Sequence, residues 1–275
     1  MIESAIPLFV TGAPRSGTTF FTVTLNRHPQ VFVTNETRIL SFLHNIHRTT
    51  KTPGPLLPPH PARLAFLEIL RSHFRQMVIE FYRDVLDKTN LGTPFLSEHQ
   101  FNRKIAVWGD KNPGYSDGTK EPGCLDFILD LFPHAKFVHV VRDPRSSIAS
   151  YLKLSSVYKR DLNGCIEMWL SHAKEAERFF ATLPQTQQLT VKHEEFRAEG
   201  GPEIFCKVEE FLALRHAKAP ALFLQKEMKT RTPYRSPTTP VERLGTDTYS
   251  ETLSPAQIAE IVTRTEPYLK RWNYV

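Results

Sequence analysis

Two kinds of apolar pattern alternate along the chain. Short, β-rich apolar runs occur at residues 7–11, 31–33, 105–108, 136–141 and 188–191, and they predict buried strands. Between them, apolar residues recur at helical spacing. Helices are predicted over 18–26, 38–47, 62–87, 123–132, 146–154, 162–182 and 203–214. In the longest of these, Leu64, Leu67, Leu70, Phe74, Met77, Phe81 and Val85 read as one core-facing stripe. A last helix opens at Ser254-Pro-Ala-Gln257, a capping box with proline at its first position. Strand–helix alternation with near-continuous apolar strands predicts an α/β fold with a central parallel sheet flanked by helices. Two segments break the pattern. Five prolines between 52 and 61 remove backbone donors and fix φ, so 48–61 reads as a surface loop or lid. The Thr/Pro/Arg-rich stretch 229–248 reads as a second long loop. No internal repeat is visible, and 1–275 is taken as a single domain.

Composition narrows the class. With 275 residues, 40% hydrophobic and 23% charged, the chain can bury a core and is not disordered. Cys124, Cys165 and Cys206 lie far apart with no CxxC pair, which excludes a disulfide framework and a zinc ribbon and predicts a reducing compartment. There is no signal-peptide pattern and no apolar run long enough to span a membrane, and mean hydropathy is -0.33. A soluble, cytoplasmic protein is expected. Thirty-five Lys+Arg against 29 Asp+Glu give a net charge of +6, which favours anionic partners. The basic residues are dispersed, so nucleic acid is not among the partners expected.

The charge acquires meaning at Gly12-Ala-Pro-Arg-Ser-Gly17-Thr18-Thr19, between a predicted strand and helix. Glycines there let the backbone wrap an anion while N–H groups at the helix start point toward it. A nucleotide-hydrolysing P-loop requires Lys-Ser/Thr after the second glycine. Here that lysine is Thr18 and the cation is Arg15, which argues against a kinase or NTPase; a functionless glycine turn is the bland alternative. A second strand–loop–helix reads Val140-Val-Arg142-Asp-Pro-Arg-Ser-Ser-Ile-Ala-Ser150, with Ser eight residues after the strand-end Arg.

The two motifs together resemble the sulfotransferases that use 3′-phosphoadenosine-5′-phosphosulfate (PAPS). The resemblance implies that Pro14, Arg15, Ser16, Gly17, Thr18 and Thr19 form the 5′-phosphosulfate loop. It also implies that Arg142 and Ser150 grip the 3′-phosphate. Trp169, Val191-Lys-His-Glu-Glu-Phe196 and Arg271-Trp-Asn-Tyr274 also have family counterparts, although His193 stands where the family commonly has tyrosine. Lys229, Arg231, Arg235 and Ser236 are candidate cofactor contacts in the second long loop. The loop, His28-Pro29 and Glu36-Thr-Arg38 are most similar to the tyrosylprotein sulfotransferases, where the corresponding glutamate is the catalytic base.

Sulfuryl transfer, like phosphoryl transfer, depends on positioning and charge stabilisation. On this resemblance Glu36 is the base, while Arg15 and Lys111 stabilise the transferred group and leaving phosphate. No metal is expected. Two bland alternatives stay open: Glu36 as a first-turn helix glutamate, and Lys111 as a solvated strand-end lysine. Arg38 would orient Glu36 or read an acidic acceptor, unless it makes only a surface salt bridge. His44, His47 and His99 are the competing bases. The acceptor implied is a tyrosine in an acidic peptide or protein, with a phenolic or sugar-like small hydroxyl compound next. A homodimer is compatible with the sequence, and a non-catalytic nucleotide-phosphate binding module is the rival from another class.

Overall fold

The computed structural model describes residues 2–51, 60–87, 104–154, 160–229 and 249–275. Its sheet has five strands: β1 (Ile6–Thr11), β2 (Val31–Asn35), β3 (Val107–Lys111), β4 (Lys136–Val141) and β5 (Gln188–Lys192). Their order is β2-β3-β1-β4-β5, and every neighbouring pair is parallel. The helices are α1 (Thr18–Leu25), α2 (Ile39–Lys51), α3 (His60–Asp87), α4 (Cys124–Leu131), α5 (Pro144–Lys153), α6 (Leu162–Phe180), α7 (His193–Phe196), α8 (Gly201–Phe211), α9 (Lys218–Lys229) and α10 (Pro255–Arg271). The predicted α/β architecture is therefore the one observed. None of the helices among the described residues is long and apolar enough to cross a membrane.

Alternate strand residues face opposite sides of a sheet, and here the two sides differ in chemistry. Phe9, Phe32, Trp108 and Phe137 build an aromatic face under residues of α2, α3, α4 and α6. Leu8, Val10, Val33, Val107, Val138 and Val140 build an aliphatic face against α1 and α8. A third cluster packs Tyr151 of α5, Trp169 of α6 and Ile261 and Tyr268 of α10 together.

Several elements depart from the sequence reading. In α3, Phe74 is buried, but Met77 is 46% exposed and Val78 and Tyr82 take the core positions. A straight helix keeps residues four apart on one side, so 74, 78 and 82 line up and 77 turns away. Strand β3 runs three residues further than expected, to Lys111. A Cβ on Gly109 would lie 1.7 Å from the Leu8 carbonyl oxygen, so glycine is what lets β3 pair closely with β1. Helix α9 was not anticipated. Its Pro220 falls within the first turn, where a missing N–H costs nothing, and Phe223 packs on Phe20 of α1. Buried Glu209 secures the connection into α9 by accepting from Ala217 N and His216 Nδ1. Of the expected lid, residues 48–51 continue α2 and 60–61 open α3; 52–59 lie outside the described residues. Lys229 closes α9, while Arg231, Arg235 and Ser236 also lie outside them.

Connections from β1 run to one side of the sheet and those from β4 to the other. Open parallel sheets bind ligands at such a reversal, beyond the carboxyl ends of the strands. The loops after β1, β3 and β4 all meet there.

Candidate active site at the carboxyl ends of the strands

The loop from Gly12 to Gly17 is shaped by its glycines. A Cβ at Gly12 would lie 2.3 Å from the Val140 carbonyl oxygen, and one at Gly17 would lie 2.0 Å from His193 Nδ1. Gly17 also has φ of 89°, and Arg15 takes φ of 65° without being glycine. No side chain caps α1 at Gly17, so its first-turn N–H groups lack a side-chain acceptor. The hydroxyl of buried Ser16 is also without a hydrogen-bond partner. Tyr151 of α5 donates to the Pro14 carbonyl (2.6 Å) and fixes the loop from behind. A narrow cradle with an orphaned hydroxyl and an uncapped helix start fits a phosphate group.

The second motif joins the first. Arg142 Nη1 donates to the Arg15 carbonyl (3.0 Å), and Arg15 Nε donates to Ser150 Oγ (3.0 Å). Arg15, Arg142 and Ser150 thus form one group across the loops after β1 and β4 and helix α5. The Arg15 guanidinium is thereby tied to α5. Buried His193 closes over Gly17; burial, reinforced by Arg142 and Arg197, holds its pKa well below the usual imidazole value.

At the other end, Lys111 Nζ donates to Glu36 Oε1 (2.6 Å) and to Thr19 Oγ1 (3.1 Å). The Lys111 side chain has 0% exposure, whereas that of Glu36 has 42%. Lys111 is therefore not a solvated strand-end lysine. Its burial lowers its pKa, and the neighbouring Glu36 and Asp110 charges oppose that shift. Glu36 also lies ahead of α2, which has no acidic residue in its first turn. It takes φ of 57°, Arg38 takes 61°, and left-handed non-glycine residues cost on the order of 1–3 kcal/mol each.

What holds this strained segment is Asp110, which the sequence reading did not single out. Fully buried, it accepts from Thr34 Oγ1 (2.6 Å), Tyr115 Oη (2.6 Å) and the Thr37 backbone N–H (3.4 Å). Burial raises its pKa, and those donors together with Lys111 counter the rise. The Glu36 N–H donates to the Lys111 carbonyl (2.8 Å), tying the segment to β3 a second time. The only sequence cue to this arrangement is an Asp-Lys pair ending an apolar strand. Of the competing histidines, His44 and His47 are buried with their rings against Phe127, and His99 lies outside the described residues.

Comparison with known proteins gives a consistent picture. The model of the sulfotransferase family matches residues 7–215. Protein-tyrosine sulfotransferase of Drosophila melanogaster is 27% identical over 176 residues, 61% of this chain and 30% of that protein. Protein-tyrosine sulfotransferase A of Caenorhabditis elegans is 24% identical over 172 residues, 59% of this chain and 38% of that protein. The chain thus spans about a third of the length of these relatives. Among solved structures, the sulfotransferase domain of the Synechococcus PCC 7002 olefin synthase superposes with a TM-score of 0.61 at 18% identity, covering 96% of this chain and 95% of that one. The sulfotransferase domain from the curacin biosynthetic pathway gives 0.55 at 17%, covering 95% and 97%.

Proposed function

The chain belongs to the sulfotransferase family, and from that premise we propose that it moves a sulfuryl group from PAPS to an acceptor hydroxyl, with Glu36 as the base. The observation that carries this reading is Lys111, dry and shared between Glu36 and the first turn of α1 at Thr19. One cation thereby links the expected proton acceptor to the expected phosphosulfate loop.

PAPS, when bound, supplies the sulfuryl group and leaves as adenosine 3′,5′-bisphosphate (PAP). Residues 12–19 hold its 5′ end, Arg142 and Ser150 hold the 3′-phosphate, and Arg15 joins the two subsites. Glu36 takes the acceptor's hydroxyl proton while the acceptor oxygen bonds to sulfur and the bond from sulfur to the 5′-phosphate oxygen breaks. Lys111 holds the Glu36 carboxylate in position through its 2.6 Å hydrogen bond, and donates to charge that builds on the transferred group. Asp110, through Thr34, Tyr115 and Thr37, keeps the Glu36 segment in its left-handed turn.

The acceptor we propose is a tyrosine in an acidic peptide. The names of the curated relatives support this, as does exposed Arg38 two residues from Glu36, a cation suited to an acidic neighbour. The test is a mass-shift assay with PAPS and three acceptor sets: tyrosine peptides with flanking Asp and Glu, simple phenols, and sugars. Acidic peptides should gain a sulfuryl group fastest. Nucleotide binding with no transfer to any acceptor would favour a binding module instead. Glu36→Gln keeps the shape and loses the proton sink, so turnover should fall about 10²–10⁴-fold. Its affinity for PAP, measured by calorimetry, should barely move; near-normal turnover would remove Glu36 as the base.

A further inference from the structure

The segment after α10 reaches back to the turn that carries Arg142. Asn273 adopts φ of 53°, which reverses the chain, and Tyr274 N donates to the Leu269 carbonyl (2.8 Å). Trp272 packs its ring against His139 of β4 and Trp169 of α6, at centroid distances of 5.8 and 6.0 Å. Trp272 and Arg142 also line one small open cavity beside the loop. These contacts place the Tyr274 side chain beside α7.

There the hydrogen bonds form a closed ring. Tyr274 Oη donates to Glu194 Oε2 (2.6 Å), and Glu194 Oε1 accepts from the Asp143 backbone N–H (3.1 Å). Asp143 caps α5 at Arg145 N and receives both Arg145 Nε and Nη2 on its carboxylate. Arg145 Nη2 then donates to the Tyr274 carbonyl (3.1 Å), which completes the circuit. Lys192 sits 4.7 Å from the Tyr274 ring centroid and adds a cation to its face. The peptide N–H that Glu194 fixes is the one immediately after Arg142. Holding that peptide restrains the carboxyl side of the Arg142 Cα, from which its side chain leaves the chain just beyond β4.

We infer that Tyr274 is a positioning residue for the 3′-phosphate subsite, acting through Glu194 on the Arg142–Asp143 peptide. This rests on Arg142 as the 3′-phosphate ligand. A phenol hydrogen bond to a carboxylate is strong and directional, whereas apolar packing by the same ring is not. The hydroxyl thus sets the aim of Arg142, and the ring supplies only stability.

The experiment measures binding of PAP and of AMP, which lacks the 3′-phosphate, to the full chain by calorimetry and competition. Tyr274→Phe should weaken PAP roughly tenfold, a change equal to about 1.4 kcal/mol, and leave AMP unchanged. Tyr274→Ala should add a drop in melting temperature to the same selective loss. Equal weakening of both nucleotides by Tyr274→Phe, or no change in either, overturns the inference. Arg142→Ala tests the underlying reading separately, because it should abolish the preference for PAP over AMP. If Arg142→Ala abolishes that preference and Tyr274→Phe does not alter it, the positioning role fails while the subsite stands. If wild type shows no preference for PAP, the subsite assignment itself fails.

Discussion

The two ends of the site are built on opposite principles. At the end proposed to hold nucleotide, Arg142 lies beside a closed ring of hydrogen bonds drawn from the turn after β4, α5, α7 and the segment after α10. At the reaction end, a buried lysine and a half-exposed glutamate hold each other on a segment with two left-handed residues. The first end is over-determined, so its geometry exists before ligand arrives. The second keeps a dry lysine charge against a strained segment. Such places are costly to stability, but there each interaction with developing charge is strengthened by the low dielectric. On the function proposed above, the contrast would divide labour between holding a nucleotide and acting on one.

The sharpest way to break that division is Lys111→Met, which removes the cation and keeps the aliphatic stem. Turnover should fall about 10²–10³-fold, the usual effect of deleting one preorganised donor. PAP affinity should change only a few-fold. A loss of nucleotide binding as large as the loss of turnover would mean that the two ends are not separate.

Acid tests the nucleotide end through its support. His139 lies under it in β4, stacked on Phe180 and against Trp272, and burial pushes its pKa down to about 4. The unfolded chain takes up this proton near the ordinary imidazole value, whereas the folded chain refuses it until about 4. Stability is therefore fully present above the unfolded value and is lost as pH falls from about 6.5 toward 4, by roughly 3 kcal/mol at most for this residue. His172, likewise pushed to about 4 by burial, adds loss in the same window. Chemical denaturation followed between pH 7 and 4 measures the slope. A flat profile would show that neither histidine is held neutral.

The smallest expected effect is at Asp110→Asn. The amide retains one acceptor but cannot serve Thr34, Tyr115 and Thr37 together, and an unsatisfied buried donor costs about 1–3 kcal/mol. Thermal unfolding should register that loss, and turnover should fall with PAP binding unaffected. Unchanged turnover in a destabilised variant would reduce Asp110 to a core residue with no part in aiming Glu36.

The sequence by itself determined the sheet, most of its helices and where its loop motifs fall. Strand periodicity and glycine spacing are local properties, and the motifs at residues 12–19 and 142–150 are each read within one strand–loop–helix. It also nominated Glu36 and Lys111, though from family resemblance and not from any spacing between them. Only the tertiary structure decided that these two residues touch, because strands β2 and β3 bring together positions 75 apart in the chain. It placed Arg15 against Ser150 and turned Met77 outward where the apolar pattern had put it inside. Asp110, Glu194 and Tyr274 stood in segments the sequence marked, but their partners did not show there, since a carboxylate or phenol has the same letter whether it faces water or holds a buried N–H. Their roles arise from long-range partners and from burial, which makes each hydrogen bond obligatory, and neither is written in the neighbouring residues.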